Sequence, residues 1–205
     1  MLSLVKQRTI KKEISIEGVS LHNGGFSKLK ILPANDNSGI KFIRTDKKNN
    51  NIIQANWNNV VSTEMCTTIS NDFGIKVSTI EHLIAAISAF KINNLTIQID
   101  SPEVPILDGS AKIFYNEIEK SGIVKQNKNQ KFIKILNKIK LKHNDSYISL
   151  SPSKNNLKVS YNINFKHPLI NNEKYEIELS KNNFKNKIAS ARTFGFKNEH
   201  NKLKK

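Results

Sequence analysis

The chain is short of several things. Cysteine occurs once, at Cys66, which excludes an intrachain disulfide and any metal cage built from several thiolates. Arginine occurs only at Arg8, Arg44 and Arg192, although lysine and arginine together number 33. Aromatic residues make up 7% of the chain, and they form no platform interleaved with basic residues. Helix-turn-helix and RNP-like motifs are absent. A formal charge of +16 would by itself raise the question of nucleic acid. The abundant residues, Lys, Asn and Ile, all have A/T-rich codons, so genome composition accounts for the excess and no nucleic-acid partner is expected. Positive charge still favours an anionic membrane surface or a phosphorylated substrate. No apolar run approaches a membrane span. The stretch MLSLVKQRTIKKE lacks the apolar core of a signal peptide, and a cytoplasmic protein is expected.

What is present suffices for a globular core, since 38% of the 205 residues are hydrophobic. The first half reads as strands followed by helix. Strands are predicted at Thr9–Glu17, Ser27–Leu32, Gly39–Thr45, Glu64–Ser70 and Leu95–Asp100, with a turn at Asn71–Gly74 before Ile75–Val77. Ser110 is predicted to cap a short helix with Ile113, Phe114 and Ile118 inward and Gly122 as its stop. Lys125–Lys131 (KQNKNQK) is polar throughout and reads as a linker. Strands resume at Phe132–Leu141, Tyr147–Ser151, Leu157–Phe165 and Tyr175–Leu179, with a helix over SKNNFKNKIA. A strand–Pro–turn–strand pattern in LKILPANDNSGIKFI is echoed in ISLSPSKNNLKVSYNI. The expectation is an α+β protein of two layered sheet-and-helix domains of similar plan. Residues 1–124 would form the first domain, 125–131 the linker and 132–205 the second, which ends before a buried helix covers its sheet.

VSTIEHLIAAISAF (Val77–Phe90) carries the most informative pattern. Ile80, Leu83, Ile84, Ile87 and Phe90 share one helical face, and the opposite side is Ala85, Ala86 and Ala89 with Ser88. A helix apolar on most sides is buried on most sides. Glu81 and His82 then sit at its mouth with no Lys or Arg in the segment. One account is a capping box, Ser78 with Glu81. The other is a metal ion or a water held by one, because a buried carboxylate without a partner is costly. Spacing does not decide between them. The histidines are His22, His82, His143, His167 and His200, and none forms H-E-x-x-H, so other ligands at His82 must come from distant chain.

Five stretches, GVSLHNG, STIEHLIAA, PEVPILDGSA, FKHPLI and SARTFGF, occur in this order. Together they resemble the UDP-3-O-acyl-N-acetylglucosamine deacetylases, the zinc amidases of lipid A synthesis, from about Val5 to about Lys197. The resemblance implies two α+β domains with the active site between them. It implies His82 as a ligand of Zn2+ and Glu81 as the general base acting on zinc-bound water. Thr193 would donate to the developing oxyanion. Phe194 would line the substrate site, Cys66 would lie near the metal, and Asp108, His22 and His167 fall in matching motifs. The implied substrate is a UDP-linked acylated glucosamine. Structural alternatives stand beside each role: a helix cap for Glu81, a small buried hydrophobe for Cys66, turn chemistry for Asp108 before Gly109, loop positions for His22 and His167, and an internal salt bridge for Arg192.

Two departures from the family pattern bear on activity. Asn144-Asp145-Ser146 stands where many members have G-D-K. The family's H-K-x-x-D motif, which supplies two further zinc ligands, does not occur, and His200 is followed four residues on by Lys204. The expectation is a C-terminally truncated enzyme that binds zinc weakly. A non-catalytic remnant that only binds substrate or a partner is the alternative.

Overall fold

The computed structural model describes residues 5–154, 156–165, 167 and 169–195. They fall into two units, the first running to Gln130 and resuming at Lys185, the second from Lys131 to Phe184. The mixture of sheets with a few helices is the expected α+β class.

In the first unit, β1 (Lys6–Ile10) and β2 (Ile14–Val19) divide the single strand expected over Thr9–Glu17, with a bend between them. They are followed by β3 (Phe26–Pro33), β4 (Ile40–Arg44), β5 (Ile52–Gln54), a 3-10 turn at Trp57–Asn59, β6 (Val60–Ser62), β7 (Thr68–Ser70) and β8 (Lys76–Val77). Helix α1 (Glu81–Ala89), β9 (Leu95–Ile99), α2 (Lys112–Ser121) and β10 (Ile123–Asn129) complete the series. The main sheet has the order β2-β3-β9-β4-β5, antiparallel except where β9 runs parallel to β4. Strands β6, β7 and β8 form a separate small sheet.

Alternation explains which face is covered. Ile14 and Ile16, Leu29 and Ile31, Phe42, Ile53, and Leu95, Ile97 and Ile99 are all buried, while Lys28, Glu17 and Lys41 between them are not. Leu83, Ala86 and Ile87 of α1 and Phe114, Tyr115 and Ile118 of α2 are buried too, and the two helices pack on each other. The Phe90 and Tyr115 rings lie 4.6 Å apart between centroids. Burial, with the Glu119 carboxylate nearby, pushes the Tyr115 phenol up to about 12. Tyr115 therefore takes the inward place that the sequence pattern assigned to Ile113, which is only half-buried.

The end of α1 shows how little its boundary depends on glycine. Lys91 takes a left-handed φ of 55°, its N–H donates to Ser88 O and the Ile92 N–H to Ile87 O. That is the Schellman arrangement with lysine where glycine is usual, and burial of Ile87 and Ile92 supports it. At α2 Gly122 ends the helix at φ 75°, as expected, but the N-cap position is Ala111, with no side-chain cap; Ser110, one residue earlier, accepts from the Lys112 N–H at 3.2 Å.

The segment read as a linker is instead largely strand. Lys125–Asn129 belong to β10, which pairs antiparallel with β1, so the first unit runs on to Gln130. Composition misled here because the strand is held by buried amides, not by apolar side chains. Asn94, 1% exposed, donates to Gln7 Oε1 at 2.9 Å and to Gln126 Oε1 at 2.7 Å, and accepts from the Gly39 N–H at 2.9 Å. Gln7 in turn donates to Asn37 Oδ1 and Asn129 O. The domain boundary departs from the expected one in a second way, since the chain from Lys185 groups with the first unit.

In the second unit, β11 (Ile139–His143) pairs with β12 (Ser146–Leu150), and β13 (Lys158–Asn164) with β14 (Asn172–Glu178). A helical turn α3 (Lys181–Asn183) leads into a π-helical turn at Phe184–Ile188, where a helix was predicted. Leu141, Tyr147, Ile148, Leu157 and Tyr161 are exposed on these hairpins, and Ile177 and Phe184 are the buried apolar residues among those described. Residues His200 and Lys204 lie outside the described residues.

Asn94→Ala is expected to destabilise the protein by about 2–4 kcal/mol, because it removes hydrogen bonds that a buried amide makes to Gln7, Gln126 and the Gly39 N–H. The check is a fall in the urea midpoint with the slope unchanged.

Candidate active site

Three loops meet at the start of α1. The first is the β2–β3 connection, Ser20–Gly25. Its Ser20 N–H donates to Gly25 O, and the Gly25 N–H to Asn23 Oδ1. The second is Thr67–Ile80, which carries β7 and β8. The third is the proline-bounded loop after β9. Its Val104 N–H donates to Ser78 O at 3.1 Å, and the Ser78 N–H donates to Pro102 O at 2.9 Å. The Ile106 N–H donates to Val19 O, which lays this loop along the end of β2. The approach at Gly18 is close: a Cβ there would come within 3.2 Å of Leu107 Cδ2 and 3.3 Å of Pro105 Cβ, so a larger residue would require those side chains to shift.

Glu103 is the junction of the three. It is 2% exposed. Its Oε1 accepts from Thr79 Oγ1 at 2.8 Å and from the His22 N–H at 3.0 Å, and its Oε2 accepts from the Asn23 N–H at 3.0 Å. Sequence reasoning passed over this residue. The signal was available, because SPEVPILDGSA contains a carboxylate between prolines and no Lys or Arg, which is the argument already applied to Glu81.

Glu81 and His82 occupy the first turn of α1 and are both half-buried. The capping box does not form: the residue before the helix is Ile80, with no side-chain cap. Thr79 has φ 57°, which turns the chain out of helical geometry one residue too late for Ser78 to reach. Ser78 Oγ instead accepts from Thr68 Oγ1 at 3.0 Å. The Glu81 Oε2 accepts from the Thr67 N–H at 3.0 Å, leaving Oε1 with no hydrogen-bond partner among the described residues. Cys66 adjoins Thr67, half-buried, with Sγ 3.8 Å from Thr68 Oγ1. So Cys66 is brought to Glu81 through one backbone hydrogen bond. His22 is brought to the start of α1 through Glu103, and its Nε2 is buried with no partner among the described residues.

Asp108 and Thr193, far apart in the chain, are also brought together. The Thr193 N–H donates to Gly109 O at 3.3 Å, and Arg192 Nη2 lies 3.8 Å from Asp108 Oδ2. Arg192 therefore makes the internal ion pair that was its structural reading. Burial works against the Asp108 carboxylate, but hydrogen bonds from the Ser110 hydroxyl and N–H, together with the Arg192 charge, hold its pKa below the ordinary value. Phe194 is 53% exposed. His167 belongs to the second unit, in the turn between β13 and β14, where its Nδ1 accepts from the Leu169 N–H at 3.2 Å. Pro168 beside it lies outside the described residues.

Left-handed backbone gathers at these positions. Met65, Thr79 and Leu107 have φ of 62°, 57° and 54°, and they precede Cys66, Glu81 and Asp108 by one or two residues. Each such residue costs of order 1–3 kcal/mol and persists only where its surroundings over-determine it. The groove lined by Ser15, Glu17, Lys28, Lys30 and Asp100 lies on the outer sheet face and contains none of the site residues.

The chain as a whole is similar to known proteins. The sequence profile of the UDP-3-O-acyl N-acetylglycosamine deacetylases matches residues 7–205. The chain belongs to this family. A UDP-3-O-acyl-N-acetylglucosamine deacetylase of Nautilia profundicola is 44% identical over 195 residues, which is 95% of this chain and 65% of that protein. The deacetylase of Nitratiruptor sp. is 41% identical over 95% of this chain and 64% of its own length. That of Haemophilus ducreyi is 40% identical over 94% and 64%. The chain thus spans somewhat less than two thirds of these family members.

A catalytic zinc normally takes three protein ligands. Among the described residues no three His, Cys, Asp or Glu side chains are grouped to hold a metal ion. His82 with Glu81 therefore does not by itself fit a catalytic zinc, and further donors are required. Among the described residues no helix is long and apolar enough to cross a membrane.

Because its folded pKa lies below the unfolded value of about 3.9, Asp108 contributes stability above about pH 4 that is lost as pH falls through the folded pKa. Asp108→Asn is expected to be less stable than the parent at pH 7 by up to about 1 kcal/mol, the ion pair being largely exposed. The gap closes as the pH is lowered from 4 toward 2, which urea titrations at a series of pH values would measure.

Proposed function

We propose that this chain carries part of the active site of an enzyme that hydrolyses the N-acetyl group of UDP-3-O-acyl-N-acetylglucosamine to a free amine and acetate, in the lipid A pathway. The names of the relatives support the substrate and the reaction. The observation that carries the chemical role is Glu81: half-buried, in the first turn of a helix, fixed through one oxygen by Thr67 and with the other oxygen unoccupied among the described residues. A carboxylate so held keeps one acceptor free for the proton of an attacking water. Thr193, anchored through its N–H to the loop of Asp108, is the proposed oxyanion donor. His82 is the proposed zinc ligand in these 205 residues, and Phe194, His22, His167, Cys66 and Asp108 are proposed to shape or support the substrate site. The charge of +16 suits a nucleotide diphosphate and an anionic inner-membrane surface, approached from the cytoplasm.

The incomplete donor set favours one competing reading, a binding-only remnant. The two separate in a single experiment. The chain is fused to the part of the Nautilia profundicola deacetylase that it does not match, and zinc content and acetate release are measured. The fused protein is expected to hold one zinc and to release acetate, and Glu81→Gln to keep the metal while lowering turnover by about 10²–10⁴-fold. Substrate binding without acetate would support the remnant reading. The 205-residue chain alone is expected to bind zinc more weakly than the fused protein and to show no useful turnover.

A further inference from the structure

Glu103 has no role in the chemistry above, yet it is more deeply buried than any other charged side chain among the described residues. No cation pairs with it there. Its partners are the two N–H groups of His22 and Asn23 and the hydroxyl of Thr79. Burying a carboxylate without a counter-charge is costly, so its three donors must offset a penalty that a neutral side chain would not incur. A glutamine could not substitute: one oxygen can accept, but its NH₂ would then face another N–H. What the carboxylate joins is specific. Thr79 is β-branched and left-handed, two residues before Glu81, a conformation that needs an external hold. His22 presents a buried Nε2, without a partner among the described residues, from the other loop.

We propose that Glu103 is a positioning residue: it holds Thr79 left-handed and ties the His22–Asn23 turn to the start of α1, so that Glu81, His82 and His22 keep one fixed arrangement. The relevance to deacetylation rests on the function proposed above; the geometry does not.

Hydrogen–deuterium exchange on the full chain tests this. Glu103→Gln and Thr79→Val should each speed exchange in residues 20–25 and 78–83 on the order of tenfold, while Ile40–Gln54 stays as in the parent. Thr79→Ser, which keeps the hydroxyl, should retain protection. The double variant should exchange no faster than the faster single variant, because both remove one shared interaction. Additive effects, equal speeding across the whole first unit, or no change in either segment would overturn the proposal. Should Glu103→Gln fail to fold, Thr79→Val against Thr79→Ser decides it. Acetate release by the fused protein speaks separately to the enzyme reading. Its absence would remove that reading and leave the exchange result intact. Turnover with unaltered exchange in Glu103→Gln would remove the positioning role alone.

Discussion

The Glu103 carboxylate accepts hydrogen bonds from residues 79, 22 and 23, which lie 24 to 81 positions away in the chain. Each of those donors lies outside any strand or helix. Loops of this kind are free to move unless their backbone groups find fixed partners, and buried backbone N–H groups left unpaired would each cost of order 1–3 kcal/mol. One buried acceptor with two oxygens satisfies three donors at once, and in doing so fixes where α1 begins. The entry of α1 is thus set by tertiary contact, with Thr79 turned left-handed and no side-chain cap at Ile80.

The hold works because the scaffold around it is rigid. The five-stranded sheet buries one face against α1 and α2, and the amide cluster of Gln7, Asn94, Asn37 and Gln126 locks β10 and the Asn35–Gly39 turn to β9. The three left-handed residues beside Cys66, Glu81 and Asp108 store strain that such a body can sustain. The second unit stands in contrast, with two hairpins whose apolar side chains are mostly exposed. Chemistry placed on the first unit is placed where the packing is dense.

Much of this was legible beforehand. The α+β class, the two-sided apolar helix with Glu81 and His82 at its mouth, and the Gly122 stop all follow from local periodicity and turn chemistry. Family membership followed from five short motifs in order. The errors share a cause. Ser78 and Glu81 have capping-box spacing, but Thr79 between them is left-handed and both side chains bond elsewhere. Lys125–Asn129 have linker composition but form a strand whose partner is the first strand of the chain. In both cases a long-range hydrogen bond outweighed a local preference worth about 1 kcal/mol or less.

The amino-acid sequence by itself determined many of the elements though not β10, the helix that carries the two titratable residues, and the family, because those depend on periodicity and on short contiguous motifs. The tertiary structure alone decided that Glu81 is held by Thr67 rather than by Ser78, that Arg192 meets Asp108, that Thr193 hangs on Gly109, and that Glu103 binds three loops together. The physical reason is that a polar side chain of fixed type can be satisfied by many partners at similar free energy. Which partner it takes is settled only when the apolar core has folded and brought one of them within about 3 Å.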